Sequence, residues 1–376
     1  MRLPPEMMSP QNQNPNVPHN FSHRRWLPNA LLVVVSVVVS LGCIEGVIAY
    51  SLSRSEILVS ADGRVRKLLG KPLALLRNYY MLIDRRIVQY LPDCAIYDPE
   101  VTYTLKPSTR CTVANREYAV EYAANRAGLR DDDASLTAPT IVVAGDSFAM
   151  GWGVASTEAF PKLLQRDLDV PVLNAAISSY GTARELALVE RLRLGDFKAL
   201  VIQYSDNDFE ENIYLVDRGR LDVMSEAKYQ ALIAEHARDT RYYPFKYVRN
   251  LISIAQPLLP WRKPAAPPPD SNAEEARYFL EVLLKHQALV QGKVVVLLEL
   301  NDYNRNDDRF TGAVARLLDE PRFAPLKPIV TVLDVSKVLT TADYYVLDDH
   351  MRPSGHARVA KMVEDELEKR GVVAAR

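Results

Sequence analysis

From residue 140 onward, short apolar runs alternate with segments of helical periodicity. Several of these runs are continuous and rich in β-branched residues, which is typical of strands buried on both faces of a parallel sheet. The predicted strands are Ile141–Ala144, Val170–Leu173, Leu200–Tyr204, Val294–Leu298 and Ile329–Leu333. The predicted helices are Glu158–Leu168, Thr182–Leu194, Ala273–Leu289 and Gly355–Lys369. This order predicts an α/β domain over residues 139–376.

One segment, at about 215–270, interrupts the alternation. It is rich in Tyr, Arg and Leu and ends in a proline-rich stretch at 264–269. We predict a helical insertion that ends in a stiff linker. An insertion after the carboxyl end of a strand lies where lids and substrate-selecting elements are common, and a plain surface excursion is the alternative.

Polar residues whose side chains can take part in a reaction follow the ends of these strands. Gly145-Asp146-Ser147 comes directly after the first strand, and Asn207 and Asp208 follow the third. Asp348-Asp349-His350 precedes the last helix. A serine followed later in the chain by Asp-x-His is one order in which a nucleophile, an orienting carboxylate and a base occur. Because ligands bind at the carboxyl ends of strands in such sheets, we expect these residues to meet there.

Composition excludes several other classes of function. The net charge of −1 argues against a nucleic-acid-binding surface. The sequence has no His/Cys cluster with metal-ligand spacing and no Gly-x-x-x-x-Gly-Lys phosphate loop. We therefore expect no metal, no cofactor and no nucleic-acid partner.

An apolar run at 30–50 carries one charge, Glu45. Its 21 residues would span ~30 Å as a helix, the thickness of a bilayer core. We predict a single transmembrane helix at 30–50 after a disordered cytoplasmic tail at 1–29. A cleaved signal peptide is the alternative, but the run is long and no clear A-x-A site follows. Leu41-Gly42-Cys43 and Arg24-Arg25 resemble lipobox and twin-arginine signals without their supporting residues.

Residues 51–138 are predicted to form a juxtamembrane helix and a small β-rich lead-in. The helix, at 73–91, is amphipathic and either lies along the membrane or packs on the main domain. The lead-in contains Cys94 and Cys111, whose proximity suits a disulfide in an oxidising compartment, with two unpaired thiols as the alternative. Cys43 lies within the apolar run. Positive charges flank both sides of this run, so they do not decide the orientation of the helix. The two cysteines favour an extracytoplasmic position for the chain that follows the helix.

Four short blocks, in order along the chain, match those of a known family. They are Gly145-Asp146-Ser147-Phe148, residues 174–182, Ser205-Asp206-Asn207-Asp208, and Asp348-Asp349-His350 with Gly355-His356. On these blocks, over roughly residues 139–370, the chain resembles the SGNH, or GDSL-like, hydrolases. The resemblance implies a flavodoxin-like three-layer α/β/α fold and an enzyme that acts on esters.

The resemblance also implies roles for individual residues. Ser147 would be the nucleophile and His350 its general base, because an alkyl hydroxyl needs a base to become nucleophilic. The family often uses Asp-x-x-His, but Leu347 occupies that position. Asp348 is therefore the expected orienting carboxylate, with Asp349 as the lesser candidate.

The expected oxyanion hole has three donors. They are the backbone N–H of Ser147, the side-chain amide of Asn207 and a second backbone N–H. Ser179 occupies the position of a glycine in the family, and Gly181 lies two residues later. Both residues are candidates for the second backbone N–H donor. Two roles are considered for Asp208: its side chain caps a loop, or it contacts the substrate.

The expected function is that of a membrane-anchored esterase or O-acyltransferase. Residues 125–130 are similar to those of bacterial single-pass SGNH proteins, some of which resemble polysaccharide O-acetyltransferases. The substrate would be an acylated glycan or small acyl ester of the cell envelope, with polysaccharide-assembly proteins as possible partners. Aromatic residues of the insertion, which suit sugar rings, are Tyr229, Tyr242, Tyr243, Phe245, Tyr247 and Trp261. The alternatives are a catalytically silent scaffold and a tethered lipase or thioesterase.

Overall fold

The computed structural model describes residues 26–55, 72–256, 271–302 and 307–374. The proline-rich linker and most of the predicted tail lie outside these ranges. Residues 26–29, which were assigned to the tail, are instead the first turn of helix α1, Trp26–Ser53. This helix is longer than the predicted span and is apolar enough to cross a membrane.

A five-stranded parallel sheet forms the centre of the molecule. Its strands are β5 (Ile141–Ala144), β6 (Val172–Asn174), β7 (Ala199–Tyr204), β8 (Val294–Glu299) and β9 (Val330–Leu333). Their spatial order is β6-β5-β7-β8-β9, the flavodoxin-like order. The predicted α/β fold and all five predicted strands are confirmed, with bounds shifted by two residues or fewer. Side chains of β5 and β7 are buried along their whole length, as continuous apolar runs predict.

Helices cover both faces of the sheet. On one face, the helix Phe160–Leu168 packs against the last helix, Pro353–Lys369. On the other face, the helix Ser271–Lys285 packs against the helices that begin at Thr182, Asp208 and Arg309. The helices after α1 are 72–79 (α2), Ser147–Met150 (α3), Phe160–Leu168 (α4), Thr182–Leu192 (α5), Asp208–Arg218 (α6), Glu226–Thr240 (α7), Lys246–Ala255 (α8), Ser271–Lys285 (α9), Gln287–Val290 (α10), Arg309–Leu317 (α11) and Pro353–Lys369 (α12). The helix predicted at 273–289 is interrupted at His286, whose backbone is not helical.

The lead-in forms two antiparallel hairpins. They pair β1 (Ala95–Asp98) with β2 (Thr102–Leu105), and β3 (Arg110–Ala114) with β4 (Ala119–Ala123). Their apolar side chains belong to the same hydrophobic core as the sheet. A disulfide joins Cys94 to Cys111 and so ties the first hairpin to the second. The lead-in is therefore packed as part of the same domain as the sheet.

The helix predicted at 73–91 is wrong in its second half. After α2 the chain forms a π-turn, Tyr80–Asp84, becomes extended at Arg85 and ends in a short 3-10 turn, Val88–Tyr90. The side chains of Tyr80, Arg85 and Gln89 make tertiary contacts that a continuous helix would not allow. These contacts override the local helical periodicity, and they lead directly to the predicted site.

Candidate active site

Ser147 is the first residue of α3 and follows directly on the carboxyl end of β5. Asp146 caps this helix, because its carboxylate accepts the backbone N–H of Phe148 at 2.9 Å. Burial raises the pKa of Asp146 to about 6, against the stabilising hydrogen bond from Phe148. The contacts assign Asp146 to shaping the nucleophile turn.

Neighbouring residues hold this turn against the sheet. The side-chain oxygen of Gln203, on β7, accepts the backbone N–H groups of Asp146 at 3.0 Å and Ala149 at 3.2 Å. A Cβ on Gly145 would lie 2.7 Å from the Cβ of Ala149 and 2.8 Å from the Gln203 oxygen. Only glycine allows such a close approach, which explains the glycine of the first motif block.

The three predicted catalytic side chains form one hydrogen-bonded line. His350 Nε2 lies 2.6 Å from Ser147 Oγ, and His350 Nδ1 lies 2.6 Å from Asp348 Oδ1. Asp348 is fully buried and His350 is 5% exposed. This is the geometry in which a carboxylate orients an imidazole and the imidazole takes a proton from serine.

The second oxygen of Asp348 accepts three further hydrogen bonds. The donors are the hydroxyl of Tyr80, the hydroxyl of Tyr118 at 2.9 Å and the indole N–H of Trp152 at 3.2 Å. Burial favours the neutral carboxyl, but His350, the Arg85 charge and the Tyr80 hydroxyl hold the pKa of Asp348 well below its usual range. Sequence reasoning missed all three donors. No local pattern marks them, because Tyr80 comes from the turn after α2 and Tyr118 from the lead-in, and both meet the carboxylate only in the folded chain.

Glu117 fixes the backbone of the same loop. Its carboxylate accepts the N–H groups of Val346, Leu347 and Asp348 at 2.8, 2.8 and 2.9 Å. The lead-in therefore holds Asp348 both by its side chain and by its backbone. Sequence analysis did not single out Glu117.

Asp349 also reaches the catalytic imidazole. Its Oδ1 lies 2.9 Å from His350 Nδ1 and 2.9 Å from a guanidinium nitrogen of Arg85. Burial would lower the pKa of His350, but the Asp349 and Asp348 carboxylates raise it to about 9. Asp348 is the nearer, fully buried partner, so it suits the orienting role better than Asp349.

The residues of the predicted oxyanion hole, Ser147, Ser179 and Asn207, line one cavity. Backbone N–H groups of Ser147 and Ser179 have no acceptor within the described part of the chain. Ser179 has a positive φ of 59°, and its hydroxyl accepts a hydrogen bond from Gln89 at 3.0 Å. Strained residues of this kind cluster at functional sites. Asn207 donates to the carbonyl of Tyr180 at 3.3 Å and keeps a second amide hydrogen.

Gly181, the other candidate for the second backbone donor, has a different role. Its N–H donates to Glu211 at 3.0 Å, so it is engaged away from the serine. A Cβ at this position would lie 3.0 Å from the Cα of Asp208. Gly181 thus allows the start of α5 to approach α6 closely, and Ser179 remains as the candidate for the second backbone donor.

Asp208 lies behind the site. It is fully buried, and one carboxylate oxygen accepts both the N–H (2.9 Å) and the hydroxyl (2.5 Å) of Thr182. The other oxygen accepts the N–H of Ser205 at 3.2 Å. These contacts tie the loop after β7 to α5 and match the loop-capping interpretation.

A cavity of about 220 Å³ opens beside the serine. Its lining residues are Arg85, Ile87, Asp146, Ser147, Phe148, Trp152, Ser178, Ser179, Ser205, Asp206, Asn207, Asn301, Asp302, Asp349 and His350. The rings of Phe148 and Trp152 lie 4.7 and 5.0 Å from the His350 ring and form an aromatic wall. A larger groove of about 1140 Å³, between the β3–β4 hairpin and α4, contains none of the triad.

Asp348, Asp349 and His350 lie close enough together to be considered as metal ligands. Their atoms are already engaged, because His350 Nδ1 faces both carboxylates and His350 Nε2 faces Ser147. The cluster fits a proton-transfer site better than a cation site.

Comparison with family models and with curated proteins gave no match. Among solved structures, the chain is similar to TesA at 16% identity and a TM-score of 0.37, over 61% of this chain and 98% of that one. It is similar to a lipolytic protein of the G-D-S-L family from Veillonella parvula at 10% identity and a TM-score of 0.35, over 60% and 96%. It is also similar to an acetyl xylan esterase, Est2A, from Butyrivibrio proteoclasticus at 10% identity and a TM-score of 0.36, over 63% and 65%. The strand order of the chain is the flavodoxin-like order that the resemblance to the SGNH hydrolases implied.

Proposed function

We propose that this chain is a membrane-anchored serine ester hydrolase of SGNH type. The observation that carries the proposal is the line from Ser147 Oγ through His350 to Asp348, with both contacts at 2.6 Å. A silent scaffold would not need a buried, fully partnered carboxylate behind a histidine that contacts a serine. The complete line therefore favours an enzyme over a binding scaffold.

The chemistry follows from the placement of the groups. His350 Nε2 takes the proton of Ser147 Oγ while that oxygen attacks the ester carbonyl carbon. Negative charge then develops on the carbonyl oxygen, within reach of the N–H groups of Ser147 and Ser179 and the amide of Asn207. His350 returns the proton to the departing alkoxide, which leaves an acyl-serine. Water, or a sugar hydroxyl, then attacks this ester with His350 again as base.

The acyl group is proposed to be small, and most simply acetyl. The cavity beside Ser147 measures about 220 Å³, below the ~300–1,000 Å³ of typical ligand pockets. Phe148 and Trp152 close one side of it. Such a space suits a short acyl group and disfavours the tethered lipase.

The acceptor is proposed to be a glycan of the cell envelope, with the catalytic domain on the extracytoplasmic side. The apolar helix α1 and the Cys94–Cys111 disulfide support this location. The aromatic residues of the insertion do not support this acceptor, because Tyr229 and Tyr247 are buried and no aromatic residue of the insertion lines the cavity within the described chain. Trp261 lies outside the described residues.

A p-nitrophenyl ester series tests the proposal. Purified full-length protein should cleave the acetate faster than long-chain esters, and the Ser147→Ala variant should be inactive. A strong preference for acyl chains of eight or more carbons would favour the lipase alternative. Deletion of the gene should change the ester content of an envelope polysaccharide.

A further inference from the structure

A short segment beside α1 exposes several large apolar side chains to solvent. Among the described residues outside α1, five large hydrophobic side chains are exposed, and three lie between residues 241 and 255. These are Tyr242 at 57%, Phe245 at 38% and Ile252 at 83%. We call residues 241–255, which comprise α8 and the turn before it, the α8 platform. Clustering of exposed apolar groups on one surface marks an interaction site.

The α8 platform is fastened to α1. The carboxylate of Glu45, on α1, accepts the backbone N–H of Val248 in the first turn of α8 at 2.9 Å. Carboxylates are favourable at helix N-termini, because free N–H groups and the positive end of the dipole lie there. Ile48 and Leu52 of α1 also share a hydrophobic cluster with Tyr247 and Ile254 of α8. The two helices therefore keep a defined relative position.

The position of Glu45 along α1 gives the height of the α8 platform. Glu45 lies nineteen positions after Trp26 in α1, a rise of about 29 Å at ~1.5 Å a residue. A bilayer core is ~30 Å thick. If the apolar stretch from Trp26 fills that core, Glu45 lies at its far face and the first turn of α8 lies at the same level.

We propose that the α8 platform lies in the headgroup region of the bilayer that α1 crosses. Its occupant is lipid: Tyr242, Phe245 and Ile252 insert at the interface, where aromatic side chains are favoured. Exposed Arg241 and Arg249 on the same segment suit contact with lipid phosphates. This inference rests on the membrane anchorage proposed above.

The α8 platform is close to the catalytic centre. Tyr79 packs edge-on against Tyr247 of α8, with ring centroids 5.6 Å apart, and its hydroxyl donates to the Tyr247 carbonyl at 2.6 Å. The next residue, Tyr80, donates to the catalytic Asp348. Seating the α8 platform on lipid thus places the triad next to the membrane surface. The substrate class that fits this placement is an ester on a lipid-linked or membrane-proximal glycan.

Fluorescence in proteoliposomes tests the proposal on the full-length chain. In a Cys43→Ala background, an environment-sensitive fluorophore is attached at Ile252→Cys, at Val35→Cys midway between Trp26 and Glu45 of α1, and at Lys327→Cys. The Lys327 side chain is 62% exposed on the catalytic domain and serves as the aqueous control. Each labelled protein is assayed with p-nitrophenyl acetate, so that only folded samples are compared.

At position 252 we expect a blue-shifted emission relative to position 327, and quenching by lipids brominated near the headgroup end of the acyl chain. Position 35 should be quenched best by lipids brominated deep in the chain. A water-like, unquenched signal at 252 together with a deeply quenched signal at 35 would overturn the α8 platform and leave the anchor intact. A water-like signal at 35 as well would overturn both the anchor and the α8 platform.

Discussion

The carboxylate of Asp349 lies 2.9 Å from His350 Nδ1, the same nitrogen that Asp348 contacts at 2.6 Å. Two carboxylates at one imidazole nitrogen stabilise the protonated ring and raise its pKa to about 9, although burial acts in the opposite direction. A general base works only when unprotonated. We therefore expect kcat/KM to rise with pH through neutrality, to reach half of its maximum near pH 9 and to level off above that pH.

Asp349→Asn should move this acid limb to lower pH. The substitution removes one carboxylate from the imidazole, so the pKa of His350 falls while Asp348 still orients the ring. Activity at high pH should change little. The measurement is a pH profile of kcat/KM, with Asp319→Asn, a substitution at an exposed carboxylate paired with Lys327, as control. If Asp349→Asn abolished activity at every pH, Asp349 would be the orienting residue instead of Asp348.

Tyr80→Phe and Tyr118→Phe should each impair the triad without destroying it. Each removes one hydroxyl from Asp348, which then holds the imidazolium proton more tightly. We expect a loss in kcat of roughly tenfold, since a hydrogen bond to a charged group contributes ~1.5–3 kcal/mol, and an acid limb shifted to higher pH. Tyr97→Phe is the matched control, because its hydroxyl donates to the Met224 carbonyl away from the triad. Unchanged kcat and pH profile in both variants would show that these hydroxyls do not support catalysis.

Substitutions at two residues of the proposed oxyanion hole should have different effects on activity. Asn207→Ala should lower kcat by ~10²–10³, as loss of one donor usually does. Ser179→Gly should keep most of the activity, because the backbone N–H remains and glycine accepts the positive φ of 59° without strain. Steady-state kinetics with p-nitrophenyl acetate measures both. An inactive Ser179→Gly enzyme with normal thermal stability would mean that the Ser179 hydroxyl, held by Gln89, takes part directly.

The Cys94–Cys111 disulfide should stabilise the lead-in, and its oxidation state in cells should indicate the compartment in which the domain lies. It closes a loop with a sequence separation of 17, for which the chain-entropy model gives ~3 kcal/mol. Replacing both cysteines by alanine should lower the free energy of unfolding by about that amount, measured by denaturant titration. In cells, alkylation without reductant should leave both sulphurs unlabelled. Free thiols, with protease protection of the catalytic domain in intact cells, would place the domain in the cytoplasm.

The sheet could be predicted from sequence because its strands are buried on both faces. Runs such as 141–144 and 200–204 are continuous and apolar, so they are recognisable without any partner. The motif residues could be predicted for a related reason: Ser147 and Asn207 directly follow such runs, and parallel strands bring their carboxyl ends to one edge. Sequence reasoning placed these residues together without knowing a single distance.

The supporting contacts could not be predicted in this way. Tyr80, Arg85 and Gln89 lie in a stretch whose periodicity indicates one continuous helix, yet the chain leaves the helix there to reach the site. Glu117 and Tyr118 contact residues more than two hundred positions later in the chain. Such contacts depend on how the lead-in packs against the sheet. Local propensity and periodicity therefore do not predict them.

The central claim is that His350 activates Ser147 as a nucleophile. Labelling with a fluorophosphonate probe measures this most directly, because the probe bonds covalently only to an activated serine hydroxyl. Wild type should label rapidly, while Ser147→Ala should not label and His350→Ala should label far more slowly. Their effects on ester hydrolysis should not add in the double variant, since the two residues act as one unit. A wild-type protein that does not label, or a Ser147→Ala variant that labels as wild type does, would contradict the account.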